Sequence, residues 1–317
     1  MTVVHRRRRF PTTVAILLPV SALGLALGLT ACSSASDDDA LSAPVEITVD
    51  GVAVTLLDAG DDPTDPLVWS ADGTEQHSRF SVALGLGQHT VGGDEQGTAD
   101  GELPYSEVTM ELPLTATTEA DGESLESTVT TGVPTGDNED RNEDIASAEG
   151  FQMVQNYGAD GKVTTRSFAA PDTATDSARA SVEQGFTVMT DLPLVFPEEA
   201  VGDGAQWTVS SQVDDSSAGV AMTQKVTYTL TSREDDRVTL DVDITRTPAV
   251  KQMAGTDLQV MNSTSESSGS LTLELDKPLP VDGTVTTTSI VTYGQPDSPV
   301  TVVQESRTTS TWTTDGD

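Results

Sequence analysis

Over most of its length the chain alternates apolar and polar residues, and this period of two constrains its fold more than any other feature. Val226, Tyr228 and Leu230 fall on one face of a candidate strand. Val238, Leu240, Val242 and Ile244 do so in the next, and Leu271, Leu273 and Leu275 repeat the pattern. A helix of 3.6 residues per turn would scatter these side chains around its surface, whereas a strand gathers them on one side. Thr and Val are abundant between the apolar positions and suit a pleated, half-buried surface. Asp-Gly pairs punctuate the pattern at 50–51, 72–73, 100–101, 121–122, 160–161 and 282–283. Such pairs tolerate the positive φ that tight hairpin turns require. The pattern predicts strands over 77–86, 105–117, 124–133, 151–157, 162–168, 206–213, 220–232, 237–246, 284–293 and 300–313. It also predicts a hairpin in which 45–49 pairs with 52–57 across Asp50-Gly51.

One segment departs from this period. From Thr173 to Met189 the apolar residues Ala178, Val182, Phe186 and Met189 recur at helical spacing. Asp172 or Thr173 can cap the start, Asp176 favours the first turn, and Pro193 and Pro197 end the helix. The expected fold is therefore mainly β: a large curved antiparallel sheet, or a partly open β-barrel, with one packed central helix at about 173–189. The stretch Gly132–Glu149 carries the densest charge and reads as a solvated loop, with two halves of the domain meeting near 134–148. Aromatic residues make up only 4% of the chain, so the core must be built from Val, Leu, Ile, Ala and Met.

The N-terminus has a different character. Arg6 to Arg9 form a basic head, followed by an uncharged apolar run from about Val14 to Leu29. That run is short for a membrane span of about 20 residues and is interrupted by Pro19, Gly24 and Gly28. A basic head and a short apolar run describe a secretory signal, residues 1–31. Leu29, Thr30, Ala31 and Cys32 resemble the bacterial lipobox, an aliphatic residue and two small ones before a cysteine. The resemblance implies a diacylglyceryl thioether on Cys32, cleavage after Ala31, and anchoring on the extracytoplasmic face of the cell membrane. Two acyl chains suffice for stable anchoring. Cys32 is the single cysteine, so a mature chain has no disulfide. Residues 32–44 then form a small, polar, acidic tether, and 45–317 the β-rich extracytoplasmic domain. The basic head with Phe10 is also a weak match to a twin-arginine export signal.

Composition excludes some functions. The net charge is −35 over the chain, and −39 once the four arginines of the leader are removed. A body this acidic repels nucleic acid and anionic membrane surfaces. Outside the leader the histidines are His77 and His89, without a cysteine partner, and a zinc site needs three or four ligands. Neither a Gly-x-Ser-x-Gly elbow nor a phosphate-binding glycine loop occurs. Neither catalytic residues nor a cofactor are expected. Asp137, Glu139 and Asp140 are weak calcium candidates, like the acidic run Asp58–Asp65, but neither matches an EF-hand loop. The stretch from Leu192 to Trp207 is the most distinctive. Its prolines and glycines make a structural corner with Trp207 as an apolar anchor, or the mouth of a ligand site.

Leu192-Pro193, Phe196-Pro197, Glu199, Val201-Gly202, Gly204-Ala205 and Trp207, followed by Gly269 to Leu275 and Leu279 to Gly283, resemble a family of secreted actinobacterial lipoproteins. The resemblance spans roughly residues 67–313 and implies location and architecture, without an activity to transfer. A looser similarity of architecture links the chain to mycobacterial lipoproteins that carry acylated lipids in a curved sheet covered by helices. The chain thus reads first as a membrane-anchored, non-catalytic envelope module that binds a protein or wall polymer. The alternative is a carrier whose half-barrel cavity holds a lipid or other apolar ligand, lined by Val226, Tyr228, Leu230, Leu240, Val242, Phe186, Met189 and Trp207. An envelope hydrolase comes last.

Overall fold

A computed structural model describes residues 41–47, 49–71, 73–92, 103–215, 220–249, 251–252 and 257–314, with backbone alone at 214, 215 and 220. The lipobox and Cys32 lie outside them. The elements are β1 (Val45–Ile47), β2 (Ala53–Asp58), β3 (Gln76–Val91), β4 (Leu103–Asp121), β5 (Ser124–Thr131) and β6 (Thr135–Gly136). There follow a 3-10 turn (Glu139–Arg141), α1 (Asn142–Ala146), β7 (Gln152–Gly158), β8 (Val163–Ala169) and α2 (Asp176–Thr190). The chain continues through β9 (Gln206–Asp215), β10 (Val220–Glu234), β11 (Arg237–Pro248), β12 (Gln259–Glu274), β13 (Asp282–Gly294) and β14 (Thr301–Thr314).

All fourteen strands join one antiparallel sheet that does not close into a barrel. Two meanders build it: β3-β4-β5-β7-β8 and β9-β10-β11-β12-β13-β14, joined where β14 pairs β3 from Thr301↔Val91 to Thr314↔Ser78. The predicted strands are present; several run longer than expected, three are shifted by one residue, and β5 stops at Thr131, two residues early. The Asp121-Gly122 and Asp160-Gly161 turns are also in place, with Gly122 at φ +64° and Gly161 at φ +86°. The β10–β11 turn has no glycine and instead puts Asp235 at φ +53°, a position where Asp is among the better-tolerated residues.

Two expectations are corrected. Asp50-Gly51 does not turn a hairpin. Its two arms part: β1 pairs β8 (Val45↔Phe168 to Ile47↔Arg166) and β2 pairs β9 (Ala53↔Ser210 to Asp58↔Gln206). Residues 134–148 do not separate two halves either. β5 before them and β7 after them pair directly, Ser124↔Gly158 to Thr130↔Gln152. The acidic stretch forms β6, the 3-10 turn and α1, and it buries Ile145 and Ala148.

The helix appears, starting at Asp176 rather than 173. The Thr175 hydroxyl accepts the Ala178 amide and caps it, while Ala174 N–H closes a turn onto Pro171. Ala178, Val182, Phe186 and Met189 are buried, as their spacing requires. Gly185 lets the helix lie close on β4: a Cβ there would sit 2.5 Å from Met110 Cε and 3.2 Å from Leu112 Cδ1. Phe186 lies between Phe151 and Phe168, with centroids 5.7 and 6.0 Å away.

The start of α2 is tied to α1 by Asp144, which accepts the Thr175 hydroxyl at 2.6 Å and the Ser177 hydroxyl, with Arg141 3.6 Å away. The Ser177 and Thr175 hydroxyls hold its carboxyl below the usual carboxylate value. A depressed folded pKa stabilises above the unfolded value and loses its effect as pH falls through the folded one. Asp144→Ala is therefore expected to melt below the parent near neutrality, with the difference shrinking in acid as pH falls through the lowered carboxyl pKa. Melting curves near neutrality and in acid check this, and a difference that persists in acid would show that the carboxylate charge is not involved.

Candidate functional site: a cleft at the seam of the sheet

β1 and β2 are the two edges of the sheet, yet only residues 48–52 separate them in sequence. Six residue steps from Ile47 to Ala53 span at most roughly 20 Å, so the sheet must curl until its edges nearly meet. β1 covers only residues 166–168 of β8, and β2 only residues 206–210 of β9. Of the residues these pairings leave uncovered, 163–165 of β8 and 211–213 of β9 flank the gap. A cleft of about 440 Å³ occupies this seam. Its walls are the link through Val49–Val52, the inner faces of β5, β7, β8 and β9, the last turn of α2 at Met189 and Thr190 with the strap Asp191–Val195 that follows it, and Leu279, Pro280 and Trp312.

That post-helix strap has no secondary structure, and side chains satisfy its carbonyls. Gln224 Nε2 donates to Asp191 O at 2.6 Å, and the Tyr228 hydroxyl to Pro193 O at 2.8 Å. Trp69 Nε1 donates to Leu194 O at 3.3 Å, and Trp207 Nε1 to Val195 O at 2.9 Å. Burial pushes the Tyr228 hydroxyl pKa up, so it stays a protonated donor. The Leu192–Trp207 stretch is thus both a structural corner and, through the strap, one wall of the cleft.

The opposite wall carries a polar row. Thr118 pairs with Ser127, Ser127 with Gln155, and Gln155 with Arg166, one residue from each of four neighbouring strands. The row beside it is apolar throughout: Ala116, Val129, Met153 and Phe168. Thr118 and Ser127 are 1% and 3% exposed, and Gln155 and Arg166 are half-buried. Arg166 donates through Nε (3.1 Å) and Nη2 (3.0 Å) to Gln155 Oε1, and Nη1 has no hydrogen-bond partner among the described residues. Burial pushes its pKa down, and the charge of Asp191 across the cleft partly offsets this. Lys162 at the rim is committed to Asp160 at 2.8 Å and Glu198 at 3.6 Å. Two buried polar atoms on the lining residues lack partners, Ser211 Oγ and Trp312 Nε1.

The eight residues expected to line a carrier cavity are placed differently. Met189 reaches the cleft. Val226, Tyr228, Leu230, Leu240, Val242, Phe186 and Trp207 belong to the packed core, none more than 3% exposed. The strap and the Trp207 ring fill the face of β10 that alternation turned inward. Asp137, Glu139 and Asp140 do not converge on a metal. Asp137 instead accepts the Thr109 amide at 3.0 Å, and no metal-holding group of acids, histidines or cysteine occurs among the described residues. His77 is exposed, bonding Glu75 and Thr115, and His89 lies twelve positions along the same strand. Arg166, Gln155, Ser211 and Trp312 went unmarked in the sequence. A basic residue in an alternating strand of so acidic a chain was the available signal. The chain matches no protein-family model and no curated protein.

Proposed function

We propose that this chain is a membrane-anchored extracytoplasmic lipoprotein that binds a small molecule in the seam cleft and does no chemistry on it. The cleft carries this reading. Its volume falls within the range of about 300–1,000 Å³ used by small-molecule sites, and its apolar walls converge on a few polar groups. The packing of Val226, Leu230, Leu240 and Val242 weighs against a large apolar cavity on that face, and so favours a compact ligand over a bulky lipid. The lipobox at Leu29–Cys32 supports the anchor.

Two measurements test the reading. Labelled palmitate is expected to enter the parent chain and not Cys32→Ala; label in both, or in neither, would remove the anchor. Native mass spectrometry of the detergent-released protein should show a non-covalent small-molecule adduct. A bare mass under gentle conditions would count against the binding role.

A further inference from the structure

We propose that the ligand of the seam cleft is a single-chain amphiphile whose anionic head, a carboxylate or a phosphate, docks on Arg166 beside Gln155 and Ser127. This rests on the binding role proposed above and adds the chemistry of the ligand.

The first support is the polar row itself. Burying polar groups costs free energy unless they are hydrogen-bonded, and an interior row of Thr, Ser, Gln and Arg beside an apolar row is costly without a partner. Internal bonds satisfy only part of it. Gln155 Oε1 takes two of the five guanidinium N–H groups, leaving Nη1 for an anionic acceptor. Arg pairs in fork geometry with carboxylate and phosphate, and both are shared chemistry for such a head.

The second support is independent of that row. Trp312 is 2% exposed, lines the same cleft from β14, and its indole N–H has no acceptor. An indole N–H is a donor only. Ser211 Oγ, on the β9 side, is also unpartnered. Buried donors from both sides of a cleft call for a ligand rich in acceptors. Of the two basic residues there, Lys162 is held by Asp160 and Glu198, whereas Arg166 feels the charge of Asp191 across the cleft but keeps Nη1 without a hydrogen bond among the described residues. The third support is the remaining wall. Met189, Leu192, Leu194, Val213 and Leu279 offer an apolar lining to a short tail.

The protein contains three tryptophans, two of which, Trp69 and Trp312, line the cleft, so intrinsic emission reports its occupancy. The full chain, held in non-ionic detergent, is titrated with octanoate, octyl phosphate and octanol. At least one of the two anions is expected to bind about tenfold or more tightly than the alcohol. Which anion does so identifies the head. Arg166→Gln is expected to remove that preference, while Arg166→Lys, which keeps the charge, retains part of it. Equal binding of all three probes to the parent protein would overturn the anionic head and leave the binding role standing. No emission change with any probe would overturn both. The comparison of heads on the parent protein needs no variant, so a folding defect in Arg166→Gln does not blunt the test.

Discussion

Trp207→Ala is expected to lose about 3–5 kcal/mol of stability, the range for deleting a large aromatic side chain from a packed core. Trp207 is fully buried. Its ring packs on Tyr228 at 5.5 Å and edge-on to Phe196 at 6.3 Å, and its N–H holds Val195 O. The substitution opens a cavity and strands a carbonyl of the strap at once. In a domain of this size the loss corresponds to a fall in Tm of about 10 °C. Trp207→Phe separates the two contributions, since it keeps most of the buried area but leaves Val195 O unpaired. It should lose about 1–3 kcal/mol. Chemical denaturation should show midpoints in the order parent, Phe, Ala. A Phe variant as stable as the parent would mean that the indole bond contributes nothing.

Phe186→Ala is expected to lose a similar amount, about 3–5 kcal/mol, for a different reason. Phe186 is the contact through which α2 meets the rings of Phe151 and Phe168, on the side of the sheet that carries the polar row. Without it the helix loses its aromatic contact with that meander. Thr187→Ala, on the exposed face of the same helix, is the control and should stay within about 0.5 kcal/mol of the parent. Thermal melts of the pair would show whether α2 is held by its buried face or by its own propensity. Equal losses would rule out the buried face.

The strands and the helix were legible because each follows from a local period. Their partners were less so. Asp50-Gly51 has hairpin chemistry, yet β1 and β2 find longer-range partners on β8 and β9, and no local signal distinguishes the two outcomes. Alternation likewise says which side chains face inward, but not what fills the space they face. On β10 the filling is the strap, so Val226 and Leu230 are core. On β7 and β8 it is the cleft. Arg166 was hidden by a further effect. The register shifts between Asn156 and Tyr157, so Val163 and Phe168 both turn inward although their numbers differ in parity. A bulge of this kind reverses the faces of a strand midway and blurs its pattern. The helix start shows the same limit on a smaller scale. Asp172, Thr173 and Thr175 are all competent caps, and the Pro171–Ala174 turn decides among them.

The narrowness of β1 has a mechanical consequence. The described chain approaches the sheet along Leu41 and Ser42, which pair with Pro171 and Ala170, and then contributes only three residues to the β8 edge. Tension drawn on the chain ahead of Leu41 therefore loads those few bonds first. Peeling Val45–Ile47 away frees the link to β2, which forms the rim of the cleft, and leaves the long ladders from β3 to β14 paired. Such a load would therefore be expected to open the molecule at its seam while the core ladders stay paired.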